Sequence, residues 1–155
     1  MVLLSRLRRS LLIAGLGCLL GACATNPVSG RREVALMSEQ QEIAIGRDMN
    51  PKVLQVYGKY DDAALQAYVQ AVGEKLAAVS HRPNLVYRFT VVDSAEVNAF
   101  ALPGGYVYVT RGILAYLGSE AELAGVLGHE VGHVTARHAV RQYTAATAAQ
   151  LGMTL

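Results

Sequence analysis

The sequence predicts a mixed α+β domain, and three observations carry that prediction. Apolar residues recur at spacings of three and four between Asp62 and Val79. A β-branched and aromatic stretch with a glycine turn follows from Leu85 to Thr110, and helical patterning returns after Ser119. The order helix, helix, strand, hairpin, helix, helix gathers the strands in one stretch, which indicates α+β rather than alternating βαβ units.

The chain has 155 residues, room for one domain of modest size, and 52% of them are apolar. Part of that fraction lies at the start, where Arg6, Arg8 and Arg9 precede an uncharged apolar run from Leu11 to Ala22. A charged lead followed by such a run reads as a signal sequence. It is well short of the roughly 20 residues of a membrane-spanning helix. The run ends Leu20-Gly21-Ala22-Cys23. Small residues directly before a cysteine have the form of a bacterial lipobox, in which Cys23 is lipidated and becomes the mature N-terminus. Residues 1–22 are therefore expected to be a lipoprotein signal peptide. Residue 24 is Ala rather than Asp, which by similarity to enterobacterial lipoproteins points to the outer membrane.

Cleavage there removes three arginines, so Lys+Arg falls from 14 to 11 against 12 Asp+Glu, and the net charge from +2 to about −1. The basicity belongs to the leader, so no nucleic-acid partner is expected. Cys18 leaves with it, and Cys23 alone cannot form an intramolecular disulfide.

Residues 23–37 contain Asn26-Pro27 and Ser29-Gly30 turn signals and read as a tether or extended lead-in to a domain over residues 38–155. Ser38-Glu-Gln-Gln41 has the form of a capping box opening a helix at Glu39, which Asn50-Pro51 should interrupt. The next helix starts at Asp61 or Asp62, with Leu65, Tyr68, Val69, Val72, Leu76 and Val79 toward the core. Leu85 to Asp93 reads as a strand. Asn98 to Leu102, Pro103-Gly104-Gly105 and Tyr106 to Thr110 read as a hairpin, with Tyr106, Tyr108 and Thr110 on one side and Val107 and Val109 on the other. A short apolar helix is expected near Ile113 to Leu117. Ser119-Glu-Ala-Glu122 then forms a second capping box, opening one long helix that runs to the end.

That helix carries His129-Glu130-Val131-Gly132-His133. Histidines four apart stack on one helical face, where both imidazoles can reach one Zn²⁺ at about 2.0–2.1 Å. Glu130 is rotated about 100° from His129, beside the metal rather than on it. There it can act as general base toward a zinc-activated water and pass the proton to a leaving amine. Flanking Leu123, Val126, Leu127, Val131 and Val134 imply that this segment is buried. Gly128 and Gly132 are costly in a helix, which either a close approach by another element or simple tolerance explains. His138 is five residues past His133, about 140° round a continuous helix. It should therefore not ligate the same ion, and a supporting or packing role is expected, together with Arg137.

Asn98-Ala-Phe-Ala-Leu-Pro-Gly-Gly-Tyr-Val-Tyr-Val-Thr-Arg-Gly112 and Ser119 through His138 together closely resemble a family of zinc metallopeptidases. That family includes HtpX and the prenyl-protein (CAAX) endopeptidases. The lipobox and the Thr25-Asn-Pro-Val-Ser-Gly-Arg31 stretch are similar to its periplasmic lipoprotein branch, typified by BepA and LoiP. The resemblance implies a gluzincin-like domain with a small sheet and hairpin packed on the HExxH helix, of which this chain is the N-terminal part. It implies His129 and His133 as ligands of one Zn²⁺ per site and Glu130 as catalytic base. The hairpin then lies along the cleft, with Asn98, Ala99 and Phe100 on an edge strand that binds substrate. The family's third ligand is a glutamate on a later helix, and no acidic residue follows Glu130 before Leu155. The implied function is a zinc endopeptidase of the cell envelope, on its periplasmic face. It would hydrolyse misfolded or unassembled envelope proteins while held to the membrane by its N-terminal lipid. The alternative is a non-catalytic, chaperone-like binding lipoprotein.

Overall fold

Capping side chains and glycine turns divide the chain much as the sequence marks them. The computed structural model describes residues 23–152, so the expected signal peptide lies outside the described residues. Strands β1 (Cys23–Thr25) and β2 (Arg32–Val34) pair as an antiparallel ribbon. Helices α1 (Glu39–Tyr57) and α2 (Ala63–Ala78) precede strands β3 (Arg88–Val92), β4 (Ala99–Leu102) and β5 (Tyr106–Thr110). A single turn, α3 (Arg111–Leu114), then leads to α4 (Glu120–Thr135) and α5 (His138–Gln150). The mixed α+β class is as expected. Among the described residues no helix is long and apolar enough to cross a membrane.

The sheet has the order β3-β5-β4, with β5 parallel to β3 and antiparallel to β4. β4 and β5 are the expected hairpin, Ala99 opposite Val109 and Leu102 opposite Tyr106, and Gly104 and Gly105 turn it at φ 77° and 92°. All five residues of β5 are buried because both faces are covered. Val107 and Val109 join Val69 and Val72 of α2 and Leu123, Leu127 and Val131 of α4 in the main core. Tyr106 and Tyr108 pack on the opposite face with Val53, Leu54 and Tyr57 of α1.

The two sheet edges are treated differently. On β3, Gln66 accepts from the Val91 N–H (3.0 Å) and donates to its carbonyl (2.8 Å), while Gln70 accepts from the Phe89 N–H (2.8 Å). Side-chain amides thus close that edge. Among the described residues nothing hydrogen-bonds to the outer edge of β4.

Several expectations are corrected. Pro51 does not interrupt α1. Its missing N–H costs one helical bond, which the packing of Val53, Leu54 and Tyr57 beyond it outweighs. On α2, Tyr68 is exposed and its hydroxyl donates to Glu120 (3.0 Å), and Val79 is an exposed C-cap. The short helix starts two residues early because Thr110 caps it, accepting from the Ile113 N–H. Ser119 accepts from the Glu122 N–H at 3.2 Å, but the Glu122 carboxylate takes the Gly118 N–H, so the second capping box is not reciprocal. The final helix is not continuous: α4 ends at Thr135, and Arg137 stands in the left-handed region at φ 55°, ψ 40° before α5 begins.

Residues 23–37, read as a tether, are folded onto the helices. Asn26 closes its turn by accepting from the Val28 and Ser29 N–H groups at 2.9 and 3.1 Å. The Leu36 N–H donates to Thr144 of α5 (3.1 Å), and Met37 is buried.

Candidate active site

Ser119 starts α4, and the apolar stripe Leu123, Leu127, Val131 and Val134 presses that helix onto the sheet. This orientation sets the rotation of every other residue on it. Glu130, 8% exposed, faces inward beside the stripe, whereas His129 is exposed and His133 half-buried. The expectation of a wholly buried motif is corrected, since the stripe covers only one side of α4. Nothing described lies within 4 Å of a Cβ added at Gly125, Gly128 or Gly132, so no close approach requires those glycines.

The two imidazoles stand one turn apart with ring centroids at 4.6 Å and their Nε2 atoms at 3.0 Å. Two nitrogens sharing a tetrahedral zinc at about 2.0–2.1 Å lie about 3.3 Å apart, so this pair fits a metal. Among the described residues no group of three or more His, Cys, Asp or Glu side chains is set to hold one.

A cavity of about 390 Å³ opens against His129, Glu130 and His133, a size suited to a small ligand or part of a peptide. Its opposite wall is Ala99 through Pro103. Successive residues of a strand point to opposite faces, so a wall that takes in all four residues of β4 is its backbone edge. A second cleft of about 380 Å³ shares Ala99, His129 and Glu130 and extends past Val97 and Asn98. Together they form a trough along β4 on both sides of Glu130. Asn98 and Ala99 line it, held in place where the Asn98 carbonyl accepts from the Thr110 N–H (3.1 Å). Phe100 lines it too, but its ring is stacked on Tyr108 (centroids 4.9 Å) and tilted on Tyr57.

Glu42 and Arg137, which also line the first cavity, belong to a network the sequence did not reveal. Glu42 is 1% exposed, and its carboxylate accepts from Arg82 Nη1 (2.9 Å) and Nη2 (3.2 Å) and from Arg137 Nε (3.0 Å). Arg82 also donates to the Val134 carbonyl in the last turn of α4 (3.1 Å) and to Glu39 (3.0 Å). Burial opposes the charge on Arg82, but the bonds and charges of Glu42 and Glu39 outweigh it and hold the guanidinium above its ordinary value. Such pairs are separated by 40 to 95 positions in the chain, so no local pattern announces them.

His138 is the other surprise. The left-handed residue before it breaks the helix, and Nδ1 of His138 lies 2.5 Å from Nδ1 of His133. His138 thus lies beside His133 rather than about 140° round the helix from it, on the far side of that ring from His129. Burial, with His133 and Arg141 nearby, pushes its imidazole below the ordinary histidine value.

These elements match a known family: the model described as peptidase family M48 covers residues 63–155. The chain belongs to peptidase family M48. M48 relatives include the beta-barrel assembly-enhancing protease of Yersinia pestis, 34% identical over 119 residues, covering 74% of this chain and 24% of the relative. The protein of the same name from Escherichia coli K12 is 31% identical over 120 residues, 76% of this chain and 24% of the relative. The mitochondrial metalloendopeptidase OMA1 of Schizosaccharomyces pombe is 36% identical over 121 residues, 75% of this chain and 35% of the relative. The chain thus spans from just under a quarter to just over a third of the length of these relatives.

Proposed function

We propose that this chain carries the metal-binding and proton-transfer half of a zinc endopeptidase of the bacterial cell envelope. The observation that carries the reading is the convergence of His129 Nε2 and His133 Nε2 to 3.0 Å, beside Glu130, in a trough walled by an open strand edge. His129 and His133 would hold the metal. When bound, zinc supplies Lewis acidity that polarises the scissile carbonyl and makes water more acidic.

Glu130 takes a proton from the attacking water and delivers it to the departing amine nitrogen. Its near burial holds the carboxylate in one place beside the two histidines. β4 receives the substrate as an added strand, pairing main chain to main chain through Ala99 to Leu102. Backbone pairing selects an extended, unfolded segment over a folded one. A trough running past Glu130 in both directions suits cleavage inside a chain rather than at its end. The gluzincin-like packing of hairpin on helix follows from the same reading. Phe100 supports the strand through its stack and presents backbone, not its ring, to the substrate.

The bacterial relatives are named for β-barrel assembly, and we carry over misfolded or unassembled envelope proteins as the substrate class. Lipidation at Cys23 and anchoring at the periplasmic face of the outer membrane complete the proposal.

The test is Glu130→Gln in the full chain with casein or an unfolded outer-membrane protein as substrate. Turnover should fall about 10²–10⁴-fold, the usual contribution of a positioned acid–base group, with zinc content unchanged. Equal degradation by the variant would sink the peptidase reading and leave a chaperone-like binding lipoprotein in its place.

A further inference from the structure

His133 uses both ring nitrogens, and what meets the second one is unusual. Its Nε2 points to His129 at 3.0 Å, while its Nδ1 meets Nδ1 of His138 at 2.5 Å. A neutral imidazole carries one proton, and only the bare nitrogen can bind a metal. An acceptor facing Nδ1 would keep the proton there and leave Nε2 bare. Ligating histidines are commonly oriented in this way by a carboxylate or a carbonyl. Here the neighbour is another imidazole.

That neighbour is present only because the helix breaks before it. On an unbroken helix His138 would lie about 140° from His133. Instead Arg137 adopts a left-handed backbone, a conformation that is strained for a non-glycine residue and persists only where its surroundings enforce it. The enforcement is visible. Arg137 Nε donates to the buried Glu42 carboxylate and Nη2 to the Met37 carbonyl, both at 3.0 Å. Arg82 binds the same carboxylate and the Val134 carbonyl, tying the end of α4 to the same anchor.

We propose that His138 is a positioning residue that accepts the Nδ1 proton of His133, and that the Glu42–Arg137 clamp is what delivers it there. The proposal rests on the reading of His133 as a metal ligand. It makes the α4–α5 junction part of what orients His133.

The experiment is ¹⁵N-edited imidazole NMR on the full chain without metal, combined with zinc titration against a chromophoric chelator. In the unsubstituted protein His133 should carry its proton on Nδ1; a proton on Nε2 overturns the proposal without recourse to any variant. His138→Leu should let the His133 tautomer drift toward Nε2–H and weaken zinc binding about 10–100-fold, as loss of such a partner typically does. His138→Asn, whose Oδ1 stands near the position of the lost nitrogen, should restore both. An unchanged His133 tautomer in His138→Leu also overturns it. His129→Ala keeps the two ideas apart. If that variant binds zinc normally, the metal-ligand reading fails, while the His133 tautomer still decides the role of His138.

Discussion

Tyr108 shows how one residue ties the sheet to α1. It is 1% exposed, its hydroxyl donates to Asn50 at 2.7 Å, and burial pushes its phenol up to about 12. An unfolded phenol ionises near 10. The folded state therefore keeps its proton where the unfolded state loses it, and this contribution to stability is intact below pH 10. It should be lost as pH rises from about 10 to about 12, amounting to about 3 kcal/mol at the upper end. Denaturant unfolding at pH 9, 10 and 11 checks this, and Tyr108→Phe should flatten the dependence. The HExxH residues are legible at the same scale because histidines four apart are neighbours by helical geometry alone. Tyr108 with Asn50 is not, because the pair is 58 positions apart.

At the scale of elements, the glycines of two helices have opposite meanings. A Cβ at Gly73 of α2 would strike the ring of Phe89, so this glycine sets how closely α2 approaches the sheet. Gly73→Ala should cost about 1–3 kcal/mol through overpacking. A Cβ at Gly128 of α4 meets open space. Gly128→Ala should then stabilise by up to about 1 kcal/mol, the difference in helix propensity. Thermal unfolding of the two variants should move the midpoint in opposite directions. Destabilisation by Gly128→Ala would mean that another segment covers that face. Capping, periodicity and turn glycines made α1, α2 and the β4–β5 hairpin readable in advance. The passage of α1 through Pro51 was not, because tertiary packing on Tyr106 and Tyr108 decides it.

For the whole molecule, Glu42 is the point where α1, the Arg82 loop and the α4–α5 junction meet, with the Met37 carbonyl bound to the same Arg137. Glu42→Ala strands two buried or half-buried guanidinium groups, and breaking such a pair typically costs about 3–5 kcal/mol. Urea unfolding should show a loss of that size. Glu42→Gln, which keeps an acceptor, should lose less. A loss under 1 kcal/mol would mean the network does not hold the junction together.

What the sequence determined by itself is whatever depends on near neighbours. This covers the alternation that makes β5 a two-faced strand, the turn at Gly104-Gly105, and the two histidines with a carboxylate between them. Helical and strand periods place such residues without reference to the rest of the chain. Only the tertiary structure decided what faces that motif. The edge of β4 lines the trough while glutamines close the edge of β3, and a buried carboxylate nearly a hundred residues away turns Arg137 left-handed so that His138 meets His133. Those outcomes depend on which buried charges find partners across the core, and spacing along the chain carries no record of that.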